Sequence, residues 1–146
     1  YALGVRIGFA AALLATVALL TLAYTQNANG ASLQTPWSAY PGYTNSQVNE
    51  YSGAGLSATM LRAAYDFSGL GAKDVSAYAL LVLGSGAKAP SFNSDEVDLN
   101  LQWAPSEGAL RGMSLRLRYA YVKQRGGGNP DINELRVILN YDFPGR

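Results

Sequence analysis

The stretch NELRVILNYDF, residues 133–143, carries the clearest structural signal in the chain, because apolar and polar side chains alternate along it. One set of alternate positions is wholly apolar and ends in two aromatic rings: Leu135, Val137, Leu139, Tyr141 and Phe143. The other set is polar apart from one aliphatic residue: Glu134, Arg136, Ile138, Asn140 and Asp142. A period of two is typical of a β-strand with an apolar environment on one side and a polar environment on the other.

The composition of the whole chain restricts the class of protein. Charged residues make up 14% of the sequence, against about 25% in an average soluble domain, while the mean hydropathy is +0.01. This combination is typical of a transmembrane β-barrel, in which apolar residues alternate with small and polar ones, although a soluble β-sandwich can share it. The net charge of +1 gives no bulk attraction to nucleic acid. The absence of cysteine and histidine argues against disulfides, a metal site, a cofactor and enzymatic activity.

Six further segments alternate like residues 133–143, which predicts one all-β domain over residues 1–146. The seven candidate strands are 1–9, 16–26, 59–67, 75–84, 96–103, 112–122 and 133–143. We therefore predict an antiparallel transmembrane β-barrel with about seven or eight strands in this chain, the eighth coming from the region 27–53. Short connections near 10–15, 68–74 and 104–111 alternate with long ones at 27–53, 84–95 and 123–131. Such a layout is typical of an outer-membrane barrel with short periplasmic turns and long extracellular loops.

The first part of the chain has a second interpretation. Residues 7–24 carry no charge, and alone they resemble a transmembrane helix or the core of a signal peptide. The alternation over residues 1–9 favours two strands joined by a turn near 10–15. Both interpretations stay open at the level of sequence.

The aromatic residues sort by depth if the last strand runs toward the periplasm. One group then lies at the periplasmic ends of the strands: Phe9, Tyr65, Phe67, Trp103, Tyr141 and Phe143. The other group lies at the outer ends: Tyr24, Tyr119 and Tyr121. Two such belts are what the two membrane interfaces select, because amphipathic rings reside at the level of the headgroups.

The side opposite the apolar positions carries the candidate functional residues. Five arginines face that way: Arg6, Arg62, Arg116, Arg118 and Arg136. A guanidinium stays charged at any working pH and binds a carboxylate through two parallel hydrogen bonds, so successive arginines could pass a carboxylate along a pore. Five acidic residues share this side: Glu96, Asp98, Asp66, Glu134 and Asp142. They either brace the arginines or form a separate acidic wall that orients a zwitterion.

An ordered set of segments also resembles a known family. WSAYPGYTNS, AAYDFSGLGAKDVSAYA, DEVDLNLQWAP, GALRGMSLRLRYAYVKQRGGG and INELRVILNYDFP together resemble the carboxy-terminal part of OprD-like outer-membrane porins, over residues 35–143. The resemblance implies a barrel of about eighteen strands, monomeric or loosely trimeric, in the outer membrane of a Gram-negative bacterium. It also implies passage of small carboxylate-bearing solutes along a ladder of arginines that faces an acidic patch. Arg116, Arg118 and Arg136 best resemble members of the ladder, followed by Arg62 and Arg6.

Two features depart from this family pattern. Seven strands are an odd number and would leave two open edges in lipid, which predicts that the chain is part of a larger barrel. Leu80 and Val82 are apolar where a water-filled lumen favours polar groups, and they fit better in the side-chain-filled interior of a small eight-stranded barrel. The loop residues 35–46 either fold into the mouth of the barrel or lie exposed at its surface.

Three functions follow from these alternatives. The first is a porin whose partners are outer-membrane lipid and small carboxylate or zwitterionic solutes. The second is a small non-transporting outer-membrane barrel or anchor whose long extracellular loops bind a partner. The third is a soluble β-sandwich binding protein. None of them involves nucleic acid.

Overall fold

A single antiparallel sheet of six strands forms the fold in the computed structural model, which describes residues 18–34, 42–126 and 128–143. The strands follow one another in sequence order: β1 (Ala18–Gln26), β2 (Ser57–Asp66), β3 (Val75–Ser85), β4 (Asn93–Trp103), β5 (Met113–Arg125) and β6 (Ile132–Tyr141). A short 3₁₀ helix, Phe67–Leu70, follows β2. The all-β prediction is confirmed. Within the described ranges the sheet is open, with β1 and β6 at its two edges.

Six of the seven predicted strands are present, and the first, over residues 1–9, lies outside the described residues together with the turn near 10–15. Residues 18–26 form a strand, so a helix over the whole of 7–24 is wrong. In the described parts of 27–53 there is no eighth strand. No helix among the described residues is both long and apolar enough to cross a membrane.

The predicted alternation of short and long connections is wrong. β3 continues to Ser85 and β5 to Arg125, so their connections shrink to residues 86–92 and 126–131. Polar strand ends still pair through their backbones, as Asn93 does opposite Arg125, and side-chain alternation does not reveal such pairing. Only residues 27–56 form a long connection among those that the structure describes. We call the end of the sheet with connections 27–56, 86–92 and 126–131 the upper end, and the end with 67–74 and 104–112 the lower end.

The two faces of the sheet differ in chemistry as the alternation predicts. Residues opposite one another in the register share a face, so the row Arg62, Leu80, Asp98 and Ala120 belongs to the side that we call the polar face. The apolar face is exposed and almost wholly hydrophobic across its middle: Leu22, Leu61, Leu99, Leu101, Leu117, Leu135, Val137 and Leu139. Soluble monomers rarely expose a continuous apolar surface beyond a few hundred Å², so this face requires an apolar partner.

Three aromatic residues on the apolar face show how the strands must tilt. Tyr65 shares a register row with Leu101 on β4 and Val137 on β6. Trp103 lies two residues below that row on β4, and Tyr141 lies four residues below it on β6. The line that joins Tyr65, Trp103 and Tyr141 therefore descends by one residue, relative to the register row, for each strand that it crosses. With about 3.3 Å per residue and about 4.8 Å between strands, this line is level when the strands tilt by about 35°, within the range of transmembrane barrels.

Part of the long β1–β2 connection packs on the upper half of the polar face, and we call residues 42–56 the cover segment. Its buried hydrophobic residues join sheet residues in one cluster: Tyr51, Leu56, Ala58, Met60, Leu80 and Val82. Leu80 and Val82 are therefore apolar because the cover segment, and not water, lies against them. In the described part of the loop 35–46, Thr44 is wholly buried against β1, whereas its neighbours Tyr43 and Asn45 are exposed.

Candidate functional site

Two buried carboxylates of β4 anchor the cover segment to the polar face. The Glu96 carboxylate is fully buried and accepts three hydrogen bonds, from the Val48 N–H at 2.7 Å and from the Asn49 N–H and Asn49 Nδ2, both at 2.9 Å. Asp98, only 1% exposed, accepts the Gln47 N–H at 2.8 Å. Three successive backbone amides thus meet two carboxylates, an arrangement of N–H groups that binds anions well. A buried charge is tolerated when it is hydrogen-bonded in this way.

Further contacts fix the cover segment to the strands at both sides of the sheet. Gln47 donates from Nε2 to Glu134 Oε1 at 3.0 Å, and the backbone carbonyl oxygen of Gln47 accepts from the Arg136 guanidinium at 3.1 Å. On the other side, the hydroxyl groups of Thr44 and Thr25 on β1 lie 2.6 Å apart. The segment therefore spans the polar face from β1 to β6.

A tyrosine locks the upper part of the cover segment. Tyr51 has a positive φ of 55° and only 4% exposure, and burial together with the nearby Glu96 carboxylate raises the pKa of its phenol well above the usual value. Its ring lies on Gly84 of β3, where an added Cβ would be 2.7 Å from a ring carbon and 2.8 Å from the Ser94 carbonyl oxygen. Asn27 donates to the carbonyl oxygens of Tyr51 and Gly53, which holds the backbone in place.

We expect Gly84→Ala to loosen the cover segment, because the new methyl group enters space that the Tyr51 ring occupies. Overpacking of this kind costs about 1–3 kcal/mol. Limited proteolysis of the folded protein should then cut within residues 42–56 faster than in the wild type. Gly69→Ala is the matched control, since an added Cβ there meets nothing within 4 Å. Equal cleavage rates for the two variants would contradict the packing described above.

The predicted arginines have different surroundings. Arg136 pairs with Glu134 at 2.5 Å, so its charge is largely compensated. Arg116 is held by the neutral Gln102 oxygen at 2.7 and 3.0 Å and keeps its charge uncompensated. The side chains of Arg62 and Arg118 make no hydrogen bond within the described residues, and Arg62 stacks over the Tyr78 ring at 4.2 Å. Arg6 lies outside the described residues.

Two concavities follow one another down the polar face. The upper cavity, of about 420 Å³, lies between the cover segment and the sheet and is lined by Tyr43, Asn45, Arg62, Tyr78, Asp98 and Arg118, among others. The lower cavity, of about 490 Å³, is lined by Arg62, Asp66, Tyr78, Asn100, Gln102 and Arg116, among others. Arg62 and Tyr78 belong to both linings, so the two cavities meet at this pair.

Charges of opposite sign are separated on this face. The acidic side chains of Glu96 and Asp98 lie beneath the cover segment, and their oxygen atoms accept hydrogen bonds from its backbone amides. Arg62 and Arg116 line the space that the cover segment leaves open. Arg118 lines the upper cavity beside Asp98. The charged residues that line the two cavities are therefore three arginines and two aspartates, Asp66 and Asp98, and of these Asp98 is almost wholly buried.

The predicted interface aromatics occupy the two ends of the apolar face, apart from Phe9, which lies outside the described residues. At the lower end, Tyr65 meets Phe67 edge-on at 4.7 Å, and Tyr141 meets Phe143 at 4.9 Å. Trp103 lies between these pairs along the tilted line. Toward the upper end, the hydroxyl groups of Tyr119 and Tyr121 donate to Asn133 and Asp131, both at 2.7 Å. Tyr24 is exposed near the end of β1.

Sequence reasoning missed several residues of this region. Gln47 and Asn49 have no local signal, because their partners are about fifty residues away in the chain. Tyr78 lies in a strand whose faces are both largely apolar, which hid its place beside Arg62. Gly84 had a usable signal, since a glycine inside a strand often marks the close approach of another part of the chain.

Comparisons with known proteins agree with this architecture. The sequence matches the family model of outer membrane porins of the OprD family over residues 8–145, whereas no curated protein matches significantly. Among solved structures, Pseudomonas aeruginosa OccK9 (OpdG) is similar with a TM-score of 0.78 and 25% identity, over 86% of this chain and 33% of that chain. OccK5 (OpdH) from the same organism is similar with a TM-score of 0.72 and 26% identity, over 86% and 35%.

A third structure, of P. aeruginosa OccK1 (OpdK), has a TM-score of 0.76 at 21% identity, over 86% of this chain and 34% of that chain. The chain thus spans about a third of the length of the solved structures that it matches, which agrees with an open sheet. The matched residues include all six described strands and the cover segment. The chain belongs to the OprD family of outer membrane porins of Gram-negative bacteria.

Proposed function

We propose that this chain forms part of the wall of a pore that passes small carboxylate-bearing or zwitterionic solutes. The polar face lines the lumen, and a carboxylate moves from Arg118 past Arg62 to Arg116. The separation of charge carries the proposal, because Glu96 and Asp98 are covered while these arginines line two connected cavities. Glu96 and Asp98 then shape the path by holding the cover segment, and Arg136 braces that segment through Gln47.

The apolar face is the side that touches lipid in this proposal. On β5, the apolar-face residues run from Met113 to Tyr121, a length of about 26 Å along the strand at about 3.3 Å per residue. A tilt of about 35° reduces this to about 21 Å across the membrane, close to the roughly 25 Å apolar band of outer-membrane barrels. The aromatic groups at both ends then lie at the headgroups. The upper end, which carries the long connection, faces the outside of the cell.

A relative supports the chemical class of the solute. The P. aeruginosa OpdK structure was solved with vanillate, which carries a carboxylate. A guanidinium that lacks a carboxylate partner in the protein, as at Arg62 and Arg116, is suited to bind such a group. Each contact must also release the solute, which fits side chains that line open cavities.

Removing the three arginines tests this function. We expect Arg62→Ala, Arg116→Ala and Arg118→Ala, singly and combined, to lower the anion-over-cation permeability of the complete pore in lipid bilayers. A unit charge at 4 Å is worth about 1 kcal/mol in water, so each loss should reduce the ratio by up to about fivefold. Reversal potentials in a KCl gradient measure the ratio. Arg125→Ala is the matched control, because Arg125 pairs with Asp95 on the other face. An unchanged ratio in the combined variant would refute the proposal.

A further inference from the structure

We infer that Tyr78 is a positioning residue for the solute path, because its ring holds the Arg62 guanidinium where the upper and lower cavities meet. The inference rests on the proposed function and adds a residue to it. The Arg62 Cζ atom lies 4.2 Å from the centroid of the Tyr78 ring, well inside the distance at which a cation and an aromatic face attract each other. Both residues line both cavities.

The register explains why this tyrosine reaches this arginine. Arg62 on β2 lies opposite Leu80 on β3, and Tyr78 is the next polar-face residue below Leu80. The two are therefore diagonal neighbours on one face, a spacing that long and aromatic side chains span. The other diagonal neighbour on β3, Val82, is buried in the cluster under the cover segment and offers the guanidinium no polar contact.

Arg62 needs such support more than Arg116 and Arg136 do. Arg116 is fixed by two hydrogen bonds to Gln102, and Arg136 by Glu134 and the Gln47 carbonyl oxygen. In the described part of the chain, the Arg62 side chain has only the ring as a partner. An exposed arginine has large rotamer freedom, so without the ring its charge would spread over a wide volume. The ring thus keeps a cation between Arg118 above and Arg116 below.

The ring contact, and not the hydroxyl group, is what this role requires. Tyr78→Phe keeps the aromatic face, while Tyr78→Leu keeps apolar volume and removes the face. We expect Tyr78→Phe to retain the anion-over-cation permeability ratio of the wild type. Tyr78→Leu should lower that ratio by roughly twofold to fivefold, the factor that corresponds to an exposed cation–π contact. Reversal potentials in a KCl gradient and the residence time of benzoate in single-channel currents provide the measurements.

A double-mutant cycle separates positioning from a merely structural effect. If Tyr78 acts through Arg62, then Tyr78→Leu should change nothing further once Arg62→Ala is present. If the wild type prefers anions, equal effects of Tyr78→Leu in both backgrounds would overturn the inference, as would a loss in Tyr78→Phe or no loss in Tyr78→Leu.

A spectroscopic measurement distinguishes this inference from the proposed function. The Nε–Hε signal of Arg62 in a ¹⁵N-labelled sample should show a ring-current shift in the wild type and in Tyr78→Phe, and should lose it in Tyr78→Leu. That pattern in a protein with no anion preference would refute the proposed function and leave the positioning intact. An Arg62 chemical shift that is the same in the wild type and in both variants would refute the positioning alone.

Discussion

Replacing Leu117 with arginine should destabilise the folded protein in lipid by about 2–4 kcal/mol, the cost of a cation at the midplane of a transmembrane barrel. Leu117 is the middle residue of the apolar-face series on β5 and is exposed on that face. In a membrane its new guanidinium would replace hydrocarbon contacts with an unpaired charge. Equilibrium unfolding by urea in lipid vesicles measures the change, and the loss of heat-modifiable migration on gels provides a second reading.

The matched control places the same charge on the same face near the membrane boundary. Ser85 ends β3 at the upper end, and its apolar-face neighbours in the register row are polar: Ser57 and Gln26. Ser85→Arg should therefore cost only about 0–1 kcal/mol, as is typical near the interface. Equal small costs at both positions would mean that Leu117 faces water. The assignment of lipid to the apolar face, and with it the whole transport proposal, would then be wrong.

Side-chain alternation predicted the two faces because it reports a local property. In a strand, neighbouring residues point to opposite sides whatever the rest of the chain does. Residues 133–143 therefore placed Leu135 and Val137 on one face and Arg136 on the other without any knowledge of the neighbouring strands, and the register agrees. The same local logic failed at strand ends, where pairing at Arg125 depends on the backbone of β4 and not on an alternating pattern.

The cover segment could not be predicted from sequence because its contacts are distant. Val48 and Asn49 bond to Glu96, and Gln47 bonds to Asp98 and Glu134. Nothing near residues 47–49 indicates these partners. The apolar Leu80 and Val82 were a genuine signal of a covered surface, but sequence alone assigned them to a filled small barrel. Only the fold shows that a segment of the same chain covers them.

The arginines illustrate a second limit of the sequence. Alternation places Arg62, Arg116, Arg118 and Arg136 on one face, which is confirmed by the register. Alternation does not reveal which arginine charges are compensated by a carboxylate, because that depends on the side chains around each one. Arg116 lies beside the neutral Gln102, whereas Arg136 lies beside Glu134. The path proposed above therefore uses three of the four, and this selection comes from geometry.

Replacing Glu96 with alanine should release the cover segment from the polar face. The change removes the acceptor of three hydrogen bonds, and bonds to a charged group contribute about 1.5–3 kcal/mol each, although not additively. A net loss of about 3 kcal/mol would shift the equilibrium between seated and released states by about a hundredfold. We expect larger and noisier single-channel conductance and faster proteolysis within residues 42–56. Glu96→Gln should give intermediate values, because one amide oxygen cannot satisfy all three donors.

Asp95→Asn is the control, since Asp95 lies on the opposite face and bonds to Arg125. Release of the cover segment has a second consequence that tests the same geometry. It would uncover Asp98, now buried, and add a negative charge to the lumen close to Arg118. Conductance should therefore rise in Glu96→Ala while the anion-over-cation permeability ratio falls. Wild-type conductance with wild-type proteolysis would mean that the apolar cluster around Tyr51 and Leu56 holds the segment without the carboxylate.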